Sequence, residues 1–203
     1  SKKGNLIMNS LIITLCMCLP SQQSHYNYSD LIVEAFKCSN AKKEKINPEI
    51  IATLSFIEND FFLKHNIPVE LRGMLLAAAC NESGYNPKAK GDWRAAKSGK
   101  KYPMAKGILQ FWPWAEKEYK FVRGDYRLSA RFWMTHITKQ RKKDRCPDFF
   151  SELKKWVGAW TQAIRGKATK KNKYHCYSGN KHYKRLKKWH KRIDSRNDNT
   201  SSK

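Results

Sequence analysis

Acidic residues are scarce in this chain: 17 Asp and Glu stand against 41 Lys and Arg among 203 residues, a formal net charge of +24. Such a surface turns away cationic partners and attracts polyanions, whether nucleic acid, anionic lipid or an acidic wall polymer, without choosing among them. There is no Cys-x-x-Cys pair and no tight cluster of thiols, which argues against a thiolate zinc site. There is no zinc-finger spacing, RNA-binding word or glycine-rich phosphate loop. Heptads and internal repeats are absent, so neither a coiled coil nor a solenoid is expected. No apolar run is long enough to cross a bilayer comfortably.

What is present is a globular composition. Hydrophobic residues make up 40% of the chain and aromatics 12%. The length suffices for one domain with a sizeable core, or one domain plus an arm. The six cysteines, Cys16, Cys18, Cys38, Cys80, Cys146 and Cys176, allow up to three disulfides and 15 complete pairings. Cys16 and Cys18 are too close for an easy mutual bridge, so longer-range partners are expected. Residues Leu6 to Leu19 form an apolar run behind Lys2 and Lys3, the outline of a secretory signal, but Asn9, Ser10 and Thr14 interrupt it. It reads as a core helix, with a retained export signal or membrane-contacting arm as the alternative.

Periodicity predicts a mainly α-helical fold. Asp30 is placed to cap a helix over 31–38. Asn47, Pro48 and Glu49 supply a cap, a first-turn proline and an early acid for a helix over 48–64. Pro68 opens a strongly apolar helix carrying Val69, Met74, Leu75, Ala78 and Ala79 that ends near Ser83 and Gly84; apolar on most sides, it belongs at the centre. Residues 84–104, rich in Gly, Pro, Lys and Ser, read as a loop or at most a small hairpin. Further helices are predicted from Pro113, from a Ser129 cap, over 149–164 with a stop at Gly166, and over 181–193.

Glu82 closes the central helix. The negative end of the helix dipole and hydrophobic backing both favour the proton-carrying carboxyl. That is the property a glycosidase needs in the group that protonates a leaving oxygen. The words around it carry a resemblance. Glu82-Ser83-Gly84-Tyr85-Asn86-Pro87, followed by Ala105-Lys106-Gly107-Ile108-Leu109-Gln110, resembles the catalytic core of lytic transglycosylases and goose-type lysozymes. Those families place a Glu-Ser pair at a helix end and then Ala-x-Gly-Leu-Met-Gln, with Ile108 and Leu109 standing here for Leu and Met. Ala159 to Gly166 occupies the place of a Tyr-Asn-Ala-Gly word, which Trp160 and Thr161 break. Tyr183 resembles the tyrosine of a C-terminal segment that leans into the cleft. The resemblance spans about 70–190.

The resemblance implies a lysozyme-like helical domain over 66–193, with an N-terminal helical portion over 1–65 packed on it and a polar tail over 194–203. It implies a cleft for alternating N-acetylglucosamine and N-acetylmuramic acid. Glu82 is then the catalytic acid, Ser83 orients it or the substrate, Gly107 and Gln110 line sugar subsites, and Tyr183 is the aromatic near the carboxylate. Tyr85, Trp112 and Trp114 could pack on sugar faces, while Trp156 and Trp189 are expected in the core. The resembled transglycosylases use a single Glu, with the substrate's acetamide stabilising the cation and an anhydro ring closing without water. A hydrolase wants a second carboxylate, for which Asp92 is the candidate, with Asp60 and Asp125 weaker; Asp92 reads more readily as a turn residue in a glycine-rich loop, which favours the single-acid route. No cofactor or metal is implied, and His175, His182 and His190 fit no ligand word. The implied partner is bacterial peptidoglycan, with anionic wall polymers possible, for an exported monomer, periplasmic or extracellular.

A rival reading rests on the C-terminal charge. From Arg165 to Arg192 there are twelve Lys or Arg and no acid, with tyrosines, histidines and Trp189 interleaved. Cations for phosphates and rings for bases would suit a nucleic-acid binder, though contact of this kind is expected to be non-specific.

Overall fold

The computed structural model describes residues 27–40, 46–119, 123–142, 152–165 and 181–201. The apolar run at 6–19, Cys16, Cys18, Cys146, Cys176, His175 and the Gly166 stop lie outside them. Among the described residues the elements are α1 (Tyr28–Phe36), α2 (Pro48–His65), a 3-10 turn (Val69–Leu71), α3 (Met74–Ser83), β1 (Lys90–Ala95), β2 (Lys101–Lys106), α4 (Pro113–Tyr119), α5 (Tyr126–Lys142), α6 (Glu152–Arg165) and α7 (Lys181–Ser201). The protein is mainly α-helical with one small antiparallel hairpin, in which Lys90 faces Lys106 and Ala95 faces Lys101.

Local chemistry explains most boundaries. Asn47 accepts from the Glu49 amide and Pro48 occupies the first turn of α2, as its sequence predicts. Two caps differ from expectation. Asn27, not Asp30, starts α1 by accepting from the Ser29 amide at 2.7 Å. Asp125, not Ser129, starts α5, accepting from the amides of Arg127 and Leu128 at 2.9 and 3.0 Å. In both cases an earlier side chain satisfies the first-turn amides, and the predicted cap falls inside the helix. The helix predicted from Pro68 is also divided. The 3-10 turn ends at Leu71, Arg72 is extended, Gly73 adopts φ 95°, and α3 begins at Met74. The break is held by Glu58 of α2, whose carboxyl oxygens accept from the amides of Gly73, Met74 and Leu75. At the other end of the chain α7 continues past Ile193 to Ser201, through residues read as tail.

Helix α3 is the centre of the core. Every residue from Met74 to Cys80 is fully buried. It packs against α7 and α2, α1 touches α2, α3 and α7, and α5 joins α2 to α6. Trp156 and Trp189 are buried as expected.

Cys38, just beyond α1, is bonded to Cys80 of α3, with Cα atoms 5.8 Å apart and 42 residues of sequence separation. The bond is consistent with an oxidising environment outside the cytoplasm. Constraining a loop of that length stabilises by about 2–4 kcal/mol. A Cys38→Ser, Cys80→Ser variant is therefore expected to show a clearly lower urea midpoint than the oxidised protein, and an unchanged midpoint would show that packing alone holds α1 to α3.

Candidate functional site

Glu82 leaves the last turn of α3 and faces a cleft of about 290 Å³. Asp92, Leu109, Gln110, Phe111 and Trp112 form one wall, Ala78 and Trp133 contribute apolar surface, and Lys181 and His182 close it from α7. Glu82 is 19% exposed. Residues 28 apart in sequence, Glu82 and Gln110, are thus brought to one cleft.

The wall opposite α3 is built by the hairpin and the turn after it. Gly107 has φ 80°, and a side chain there would drive a β-carbon to 1.9 Å from the Arg123 carbonyl oxygen, so only glycine fits. Gly107 accepts the Gln110 side-chain amide at 2.8 Å, which fixes the amide's orientation. The bare face of Gly91 on β1 leaves room for the Gln110 carbonyl oxygen, which would lie 2.5 Å from an added β-carbon. Arg123, 4% exposed, ties the segment down: one guanidinium nitrogen donates to the carbonyls of Met104 and Phe111, and Nε pairs with Glu116 at 2.8 Å. Arg123 was not identified from sequence; a lone Arg beside a loop gives no local signal.

The other expected residues are placed as follows. Ser83 Oγ lies 2.8 Å from the Ile108 carbonyl and 3.2 Å from that of Ala79, so it joins the end of α3 to the 107–110 turn and positions that turn against the helix. Asp92 (φ 48°) accepts from the Trp112 indole at 2.9 Å, and Arg94 lies 4.9 Å above the Trp112 ring. Two placements correct expectation. Tyr85 is 1% exposed and donates to the Leu76 carbonyl, so its ring belongs to the core and does not line the cleft. Tyr183 is half-buried beside Lys187 and lies off the cleft lining. Successive helix residues point about 100° apart, so it is its neighbour His182 that faces Glu82. The Trp114 side chain lies outside the described residues. Asp60 pairs with Lys64, and Asp125 serves as a cap, both away from the cleft.

His182 is fully buried, with Nε2 at 2.8 Å from Glu82 Oε1. Behind it Trp160 lies 6.0 Å from the imidazole and meets Trp133 edge-on at 5.9 Å. Lys181 Nζ reaches the same Glu82 oxygen at 3.0 Å. These neighbours reverse the electrostatics expected from the helix end. Burial, the largest influence, pushes the Glu82 carboxyl up, but the His182 hydrogen bond and charge, with the Lys181 ammonium, outweigh it and hold the carboxyl below its ordinary value. Burial in turn depresses the His182 imidazole against the pull of Glu82, favouring its neutral form.

The chain matches no family model, no curated protein and no solved structure. The cleft itself brings together a half-sheltered carboxylate under a hydrogen-bonding imidazole, a second carboxylate held by an indole, an oriented amide and a partly exposed aromatic face. Among the described residues no group of three His, Cys, Asp or Glu forms a metal cage. His190 donates to the Arg72 carbonyl at 2.9 Å.

Proposed function

We propose that the protein cleaves the β-1,4 bond between N-acetylmuramic acid and N-acetylglucosamine in bacterial peptidoglycan, within a lysozyme-like domain and by lytic transglycosylation. The observation that carries this reading is the meeting of Glu82, Gln110 and Trp112 in one cleft beside the end of the buried helix α3. Sugars present hydroxyl and acetamide edges to an amide such as Gln110, which both donates and accepts. Their C–H faces suit a ring such as that of Trp112. Glu82 protonates the leaving oxygen, the substrate's acetamide stabilises the cation, and the ionised Glu82 then takes the proton of the muramoyl 6-hydroxyl as the anhydro ring closes.

Glu82 must carry a proton to begin this cycle. In the free protein its pairing with His182 and Lys181 works against that, while burial works for it. A glycan filling the cleft excludes water and adds to the burial contribution. The acid is then used as pH permits: activity declines as pH rises through the Glu82 pKa, and Lys181 moves that decline to lower pH. Lys181→Met is expected to shift the alkaline limb of kcat/KM towards higher pH. A limb that stays in place would show that the ammonium does not tune the acid.

Hydrolysis is the second reading, because Asp92 lines the same cleft as Glu82. A direct hydrolase employs two carboxylates, the second acting on the sugar or on water. Mass spectrometry of digested wall in labelled water separates the two. Anhydromuramoyl ends without label are expected; labelled reducing ends would move the assignment to a muramidase using Asp92.

A further inference from the structure

A second hollow, of about 470 Å³, adjoins the cleft and shares Lys181 with it. Helix α7 supplies its floor. Lys181, Lys184, Arg185 and Lys188 all line it, and their spacing of three, four and seven residues puts them on one helix stripe. The adjoining stripe of α7, with His182, Leu186, Trp189 and Ile193, is buried, and Trp189 reaches the edge of the hollow. No acidic residue lines the hollow. Arg185 is preset: its Nε donates to Asn81 Oδ1 at 2.6 Å and a terminal nitrogen reaches Ser39 Oγ at 3.3 Å. Asn81 also offers a sheltered side-chain amide nitrogen with no hydrogen-bond partner among the described residues. Among those residues Lys184 and Lys188 pair with no acid.

We propose that this groove binds the carboxylates of the peptide stems carried by the muramoyl sugars, so that the protein selects peptide-bearing glycan over neutral glycan. The inference rests on the glycan-cleaving reading of the cleft. Lys181 touches Glu82 at 3.0 Å and lines both hollows, so a group seated in the groove belongs to a chain passing close to the catalytic carboxylate. A neutral sugar has no use for four cations, whereas stem carboxylates form charge-assisted hydrogen bonds with ammonium and guanidinium donors. A single-stranded nucleic acid fits less well. It needs exposed rings for its bases, and Trp189, the aromatic lining this groove, is 2% exposed.

The test uses the full chain and soluble glycan strands with intact stems, compared with the same strands after chemical amidation of the stem carboxylates. Dissociation constants and released fragments are measured on both at about 0.15 M salt, where long-range surface charge is largely screened. The wild type is expected to bind the native strands about tenfold more tightly, the effect of one or two charge-assisted contacts. The pair Lys184→Glu, Lys188→Glu is expected to erase that preference. The pair Lys97→Glu, Lys100→Glu, with the same charge change at the exposed hairpin tip, is expected to keep it. Equal binding of the two strands by the wild type, or equal loss of preference in both double variants, overturns the groove assignment. If neither strand is cut, the glycan-cleaving reading fails, and the binding ratio still decides whether the groove recognises carboxylates.

Discussion

Glu82→Gln is expected to lower glycan cleavage by on the order of a thousandfold or more, with the fold retained. The magnitude follows from the two tasks the single-acid mechanism gives this residue, proton donation to the leaving oxygen and proton removal from the 6-hydroxyl. Gln has the same shape. Its carbonyl oxygen can still accept from Lys181 Nζ and from a protonated His182 Nε2, the contacts that Glu82 makes at 3.0 and 2.8 Å. It has no titratable proton to give. The measurement is fragment release from purified peptidoglycan alongside the thermal midpoint. Activity equal to wild type would falsify the assignment of Glu82. A comparable loss in Asp92→Asn, whose side chain can still accept from the Trp112 indole, would show that both carboxylates are needed and favour hydrolysis. The expected result for Asp92→Asn is a much smaller loss.

The parts of this site that were legible from the sequence are those in which chemistry and chain neighbourhood coincide. Glu82 stands at the end of an apolar helix, and Gly107 to Gln110 form a short word whose glycine is demanded by the backbone of Arg123. His182 was not legible. It meets Glu82 across 100 residues of sequence, and nothing near it distinguishes a histidine facing an acid from one facing solvent. Tyr183 lies one residue away on the same helix, which presents His182 and not Tyr183 to the cleft. Tyr85 misled for a related reason. Its neighbours belong to the word that resembles a transglycosylase core, but φ 65° and the hydrogen bond to Leu76 turn the ring inward. The His182 and Lys181 pairings also explain why a helix-end argument alone gave the wrong direction for the Glu82 carboxyl. The dipole acts at the last turn only, whereas two donors at hydrogen-bond distance from the carboxylate act more strongly.

The fold shows the same division. Asn47-Pro48-Glu49 is a local start signal and holds in the structure. The break at Gly73 was hidden because apolar residues run through it at helical spacing from Val69 to Ala79. Its cause, Glu58, lies 15 residues earlier in the middle of another helix. An acidic residue in a helix ordinarily reads as a solvated face. Glu58 is instead fully buried, which no pattern in α2 announces.

Glu58→Ala is accordingly expected to be among the most destabilising single changes in the protein, by about 3–5 kcal/mol. The first amides of a helix have no carbonyl partner in their own helix. For α3 the Gly73 and Met74 amides are satisfied by Glu58 Oε1, at 2.5 and 3.0 Å, and the Leu75 amide by Oε2, at 3.2 Å. Alanine would leave three buried donors without an acceptor at the start of the helix that ends in Glu82, so the loss falls on the element that positions the site. Glu58→Gln keeps one acceptor and turns an amide nitrogen towards a donor, so an intermediate loss is expected. The two variants also separate charge from hydrogen bonding. Burial pushes the Glu58 carboxyl up to about 8, against the three amide bonds and the Arg72 guanidinium. A folded-state value above the ordinary 4.5 means that the fold favours the protonated form. That contribution is complete below the ordinary value and is lost as pH rises through about 8. The stability gap between wild type and Glu58→Gln is therefore expected to narrow as urea unfolding is repeated from pH 5 towards pH 8. A gap that stays constant over that interval would show that the three amides hold Glu58 as a carboxylate.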